Sequence, residues 1–68
     1  MENWVIWSEE HGRWWMHDAM GYTPYLRLAG RYTEDRARLI ADTANRYLPD
    51  GVINEVAMPD PWPHAKGR

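Results

Sequence analysis

The sequence predicts a small α+β domain, with one amphipathic helix packed on one face of an antiparallel sheet of about three strands, in the order β-β-short helix-α-β. Three observations carry this. Near the start, two short runs rich in tryptophan flank a polar tetrapeptide that ends in glycine. In the middle, the segment after Thr33 places apolar residues at helical spacing. After an Asp-Gly pair, a third run alternates side chains up to Met58.

Trp4-Val5-Ile6-Trp7 is β-branched and aromatic, and reads as the first strand. Glu9-Glu10-His11-Gly12 is a hairpin turn in which Gly12 takes a positive φ. Arg13 to His17, with Trp14-Trp15-Met16, returns as the second strand. Asp18 to Thr23 is a loop with Gly21 as its turn residue. Thr23-Pro24 then opens a single helical turn over residues 25–29, which Gly30 stops. Arg31-Tyr32 is a brief extended piece.

Thr33 caps the one long helix, and Glu34 and Asp35 occupy the first turn, where the helix dipole favours negative charge. Ala37, Ile40, Ala41, Ala44, Tyr47 and Leu48 form its apolar stripe, with Arg36, Arg38, Asp42 and Asn45 mostly off it. Pro49 stops the helix. The stripe is expected to face Val5, Trp7 or Trp15, its small alanines letting the helix approach large rings. Val52 to Met58 is the last strand. Residues 1–58 thus make one domain, and 59–68, rich in proline, a flexible extended tail.

At 68 residues the chain exceeds the roughly 40 residues needed to fold unstapled, but its core is small. It has no cysteine, so it has neither disulfides nor thiolate metal sites. No run approaches the roughly 18 apolar residues of a membrane span. Met1-Glu2-Asn3 is acidic where a leader peptide is basic. These features are read as those of a cytoplasmic protein.

The aromatic set is five tryptophans and four tyrosines with no phenylalanine. Trp and Tyr carry a polar handle and are enriched at interfaces. Alternation makes both faces of the hairpin apolar: Val5 and Trp7 against Trp4 and Ile6, Trp15 against Trp14 and Met16. A half-solvated antiparallel sheet alternates apolar with polar instead. One helix covers one face. The second must be covered by the segment Pro24–Ala29, the tail around Trp62, a second copy of the chain, or a partner.

Catalytic and metal signals are weak. His11, His17 and Asp18 lack the spacing of zinc pairs. Ser8 stands beside Glu9-Glu10-His11 without a nucleophile motif around it. Gly12, Gly21 and Gly30 are isolated and form no phosphate loop. The reading is therefore a protein that is not an enzyme and has no cofactor and no metal. Arg13-Trp14-Trp15, with Tyr22, Arg27 and Arg31, interleaves cations with rings as surfaces that stack bases do. A net charge of −2 weighs against nucleic acid, whose phosphates reward a basic excess. The scattered acids, Glu2, Glu9, Glu10, Asp18, Glu34, Asp35 and Asp42, leave mimicry of a nucleic-acid backbone as a minor reading.

Trp7-Ser8-Glu9-Glu10-His11-Gly12-Arg13-Trp14-Trp15, then Gly21-Tyr22-Thr23, then Ala29-Gly30-Arg31-Tyr32-Thr33, a helix ending Ala44-Asn45-Arg46-Tyr47, and Asn54-Glu55-Val56 together resemble a group of short proteins of tailed bacteriophages and prophages. The group has no established activity, so the resemblance transfers no functional residues. It implies a setting: small accessory phage proteins bind and redirect bacterial proteins, or inhibit defence complexes as anti-CRISPR proteins do. The expected function is thus a non-catalytic interaction protein that modulates or inhibits a bacterial protein complex in the host cytoplasm. Its expected contact residues are Trp14, Arg13 and Tyr22, with Arg27 and Arg31. The alternatives are a nucleic-acid-binding accessory using the same side chains, or a homo-oligomeric structural component of the phage.

Overall fold

The computed structural model describes residues 3–49 and 51–61. They form a four-stranded antiparallel sheet and one α-helix, a small α+β fold. The strands are β1 (Trp4–Ser8), β2 (Arg13–Trp15), β3 (Tyr22–Thr23) and β4 (Glu55–Pro59), in the spatial order β3-β2-β1-β4. Helix α1 spans Glu34–Asn45. A 3-10 turn lies at Leu26–Leu28, and a tight turn containing two left-handed residues at His17–Ala19.

The hairpin forms as the local signals require. Ser8 pairs with Arg13 and Trp7 with Trp14, around a turn whose Gly12 has φ 61°. That left-handed conformation costs glycine no Cβ clash. β3 is the strand that the sequence did not predict. Its two residues pair Trp14 with Thr23 and Trp15 with Tyr22, too short a run for alternation to show. The Leu26–Leu28 turn follows, with the Thr23 hydroxyl accepting from the Tyr25 N–H at 3.1 Å. Tyr32 then bridges Trp4, and this extended piece carries the sheet past the end of β2.

Register decides which faces are shared, because directly opposed residues point the same way. Trp4, Ile6, Ser8, Arg13, Trp15, Tyr22, Glu55 and Ala57 share one face; Val5, Trp7, Trp14, Thr23, Val56 and Met58 share the other. The helix lies on the first face. Ile6, Tyr32, Ala37 and Ala41 are its buried centre, with Trp4, Trp15, Ile40 and Ala57 packed around them. Of the three residues expected under the helix, Trp15 is there; Val5 and Trp7 are on the opposite face.

The stripe is also shorter than its periodicity. Thr33 caps the helix, its hydroxyl accepting from the Arg36 N–H at 3.2 Å, a bond worth about 1 kcal/mol. The helix ends at Asn45, four residues before Pro49. Ala44 is exposed and Tyr47, past the helix end, is 86 % exposed. Strand β4 begins at Glu55, which leaves Val52 and Ile53 exposed in the connection.

The second face is largely removed from solvent. Val5 and Thr23 are buried, and Trp7, Trp14, Val56 and Met58 are half-buried. Arg31, adjacent to Tyr32, points to this face by alternation. Its guanidinium donates to the Leu26 and Ala29 carbonyls at 3.1 and 2.6 Å and to the Asp60 carboxylate at 2.8 Å. This holds the 26–29 segment at the Val5–Met58 end of the face. At the other end Trp7 and Trp14 meet edge to face, centroids 4.8 Å apart. Asp60 also donates its N–H to the Asn3 carbonyl at 2.7 Å. The rest of the stretch read as a tail, Trp62 included, lies outside the described residues.

The outer edge of β4 is closed by two devices. Bonds from Glu9 N–H to Asn54 O and from Asp60 N–H to Asn3 O set the ladder phase. Val56 and Met58 therefore bond inward to β1, and Glu55, Ala57 and Pro59 face outward. Asn45 satisfies Glu55 on both its N–H and its C=O. Pro59 has no N–H to offer. An edge so blunted is a poor template for another strand.

Candidate binding site

Helix α1 covers β1 and β4 and leaves β2 and β3 open on the same face. The uncovered strip is aromatic. Trp15 forms its floor, and Tyr22 meets Trp15 edge to face at 5.6 Å. His11, from the hairpin turn, stacks on Tyr22 with centroids 4.0 Å apart and planes 19° from parallel. Along the helix side runs an open groove of about 500 Å³, lined by Trp15, Arg36, Leu39, Ile40, Thr43 and Ala44. Leu39 is 63 % exposed on its rim.

A polar network fixes this row from beneath. The Trp15 indole Nε1–H donates to Glu55 Oε1 at 2.7 Å. The Ser8 hydroxyl donates to Glu55 Oε2 at 3.3 Å. Ser8 Oγ also receives the His11 backbone N–H at 3.3 Å, and lies 3.0 Å from His11 Nδ1. Glu55 is held in turn by Asn45, whose amide donates to the Glu55 carbonyl and accepts from the Asn54 and Glu55 N–H groups at 2.9–3.0 Å. Burial, followed by the carboxylates of Glu55 and Glu10, raises the Tyr22 phenol above its ordinary value. Tyr22 thus stays a neutral hydroxyl at physiological pH.

Ser8, His11 and Glu55 resemble the components of a hydrolase, but their order is wrong for one. The carboxylate bonds the serine rather than orienting the histidine, and Ser8 has no exposed surface. A nucleophile must reach its substrate; this hydroxyl is a link between a turn and a strand. Among the described residues no group of three or more His, Asp or Glu could hold a metal ion. None of the helices there is long and apolar enough to cross a membrane.

The five residues singled out from the sequence do not share a surface. Arg13 and Tyr22 lie on the helix side of the sheet, and Trp14 on the opposite side, half-buried against Trp7. Arg27 sits on the Leu26–Leu28 turn with its guanidinium 5.5 Å from the Tyr25 ring centroid. Arg31 spends its donors inside the fold. Trp15, Leu39 and His11 complete the open row with Tyr22. Leu39 was legible as an apolar residue off the helix stripe; the side of Trp15 depended on register. No family model matches the chain, and no curated protein or solved structure is similar to it.

Proposed function

We propose that this chain is a small non-catalytic binding protein. Its contact surface is the groove between α1 and the open β2–β3 half of the sheet. The observation that carries this reading is Trp15, which lines a groove of about 500 Å³ together with the exposed Leu39 and meets Tyr22 edge to face. Apolar surface left open next to aromatic rings is what hot spots at protein interfaces consist of. A mostly apolar lining and a net charge of −2 favour a protein partner over nucleic acid. The resemblance to short phage and prophage proteins adds the setting: a bacterial protein or complex, modulated or inhibited in the host cytoplasm, as anti-defence proteins do.

Leu39 makes the test clean, because it is exposed on the helix and outside the buried cluster. Leu39→Asp is expected to change stability by no more than about 0.5 kcal/mol. Loss of a hot-spot contact, about 2 kcal/mol, weakens binding roughly thirtyfold. Tagged wild type and variant are compared in pull-downs from nuclease-treated bacterial lysate, with thermal melts alongside. A dominant protein captured by wild type and lost with Leu39→Asp supports the groove. Equal capture by both overturns it. Capture that disappears with nuclease moves the function to nucleic acid, and self-association abolished by Leu39→Asp moves it to a homo-oligomer.

A further inference from the structure

The hydrogens around Ser8 can be counted, and the count fixes a chemical state. The Ser8 hydroxyl has one hydrogen and two lone pairs. Three groups surround its oxygen: the His11 backbone N–H, Glu55 Oε2 and His11 Nδ1. The backbone N–H can only donate, so it takes one lone pair. Glu55 Oε1 already accepts the Trp15 indole N–H at 2.7 Å, which leaves Oε2 for Ser8. A carboxylate oxygen accepts, so the Ser8 hydrogen goes to Oε2. One lone pair on Ser8 is left for His11 Nδ1, and Nδ1 must supply the hydrogen.

We infer that Glu55, acting through Ser8, fixes the neutral His11 ring as its Nδ1–H tautomer. His11 Nε2 is then a hydrogen-bond acceptor at the outer end of the Trp15–Tyr22–His11 row. Neutral imidazole in water prefers the opposite tautomer, and in a protein the bond made by one nitrogen decides the state of the other. The His11 residue is exposed, and its Nε2 has no hydrogen-bond partner among the described residues. Tyr22 stacks on the ring, Ser8 links it to Glu55, and the carboxylates of Glu55 and Glu10 act on Tyr22. None of these supplies Nε2 with a bond.

The consequence rests on the binding reading. The partner group that meets the end of the aromatic row is a hydrogen-bond donor, such as an amide N–H, a hydroxyl or a lysine ammonium. His11 is thereby a specificity-determining residue of the site, and Glu55 and Ser8 are positioning residues behind it.

The tautomer can be measured without any partner, so its failure and that of the binding reading are separate results. The experiment is long-range ¹⁵N–¹H correlation of the histidine rings in the full-length protein, at a pH where His11 is neutral. The expected pattern is a pyrrole-type Nδ1 and a pyridine-type Nε2 for His11. The reverse pattern overturns the inference, because the Ser8 hydrogen then points to His11 Nδ1 and not to Glu55. Glu55→Gln supplies the second arm. The Trp15 N–H still needs the amide oxygen, so the amide N–H₂ faces Ser8, whose hydrogen must turn to His11 Nδ1. The variant is expected to show the reversed tautomer. An unchanged Nδ1–H pattern in a folded Glu55→Gln protein also overturns the inference; should that variant not fold, the wild-type pattern decides.

Discussion

Gly30→Ala is expected to destabilise the domain by about 3 kcal/mol, through a clash of about 1–3 kcal/mol with backbone and the loss of one hydrogen bond. A Cβ built on Gly30 falls 2.5 Å from both Cα and N of His17 and 2.6 Å from the Met16 carbonyl carbon. All three are backbone atoms, so no side chain can rotate away. Room is the requirement here, and no left-handed φ is involved. The close approach exists because the Gly30 N–H donates to the Trp15 carbonyl at 2.8 Å, where β2 ends. Directly beyond, Tyr32 inserts its hydroxyl between the Met16 carbonyl and the Ala19 N–H. Moving Gly30 away from Met16 would pull on this junction as well. A core this size supplies only about 3–5 kcal/mol in total, so the variant should keep no more than about 2 kcal/mol of it. Urea unfolding followed by tryptophan fluorescence checks it. A midpoint within 0.5 kcal/mol of wild type, at unchanged slope, would contradict the packing at this glycine.

Gly30 also shows where the sequence stops being legible. As the residue after an apolar turn it reads as a helix stop, and nothing local announces that residues 16 and 17 will lie against it. The features that could be read are those set by neighbours in the chain: the four-residue turn ending in Gly12, the Thr33 cap, and the alternation of β4. The choice of the helix-bearing face was different, because both faces of the hairpin are apolar. It was decided by the fit of particular groups. Ile6 and Ala57 leave room for the alanines of α1, and Trp15 finds an acceptor for its N–H in Glu55.

The site follows the same division. Tyr22 was singled out from the sequence and lies in the open row, but composition could not say which side of the sheet Trp14 and Trp15 would take. Their neighbours along the chain are nearly the same, and only the Trp7–Trp14 register sends one to the groove and the other to the shielded face. Arg31 looked like a surface cation because its three acceptors, Asp60 and the carbonyls of Leu26 and Ala29, are brought to it by folding. Two adjacent left-handed residues, Asp18 at φ 53° and Ala19 at φ 54°, lie in the loop that carries the chain from β2 to β3. Neither is glycine, so this loop stores some strain, and the Tyr32 hydroxyl bonded to the Ala19 N–H holds it in place.

Asn45→Ala is expected to cost about 3 kcal/mol, close to 1 kcal/mol for each of three hydrogen bonds. The sequence placed Asn45 off the apolar stripe, as one more polar helix residue. Instead it ends the helix facing β4, and its amide does for Glu55 what a fifth strand would do. It donates to the Glu55 carbonyl at 2.9 Å and accepts from the Glu55 and Asn54 N–H groups at 2.9 and 3.0 Å. Alanine leaves all three backbone groups without that partner, next to a residue that is only 6 % exposed. The loss should be local before it is global. Amide exchange at Asn54 and Glu55 is expected to accelerate more than exchange at Val56 and Met58, whose groups face β1. The same loosening reaches the candidate site, since Glu55 carries the Trp15 indole on one oxygen and the Ser8–His11 link on the other. A partner that uses the aromatic row should therefore bind Asn45→Ala more weakly even under conditions where the variant is fully folded. Unchanged stability together with unchanged exchange at Asn54 and Glu55 would show that β4 is held without the clamp. A stability loss with full affinity would show that the row is organised from the hairpin side alone.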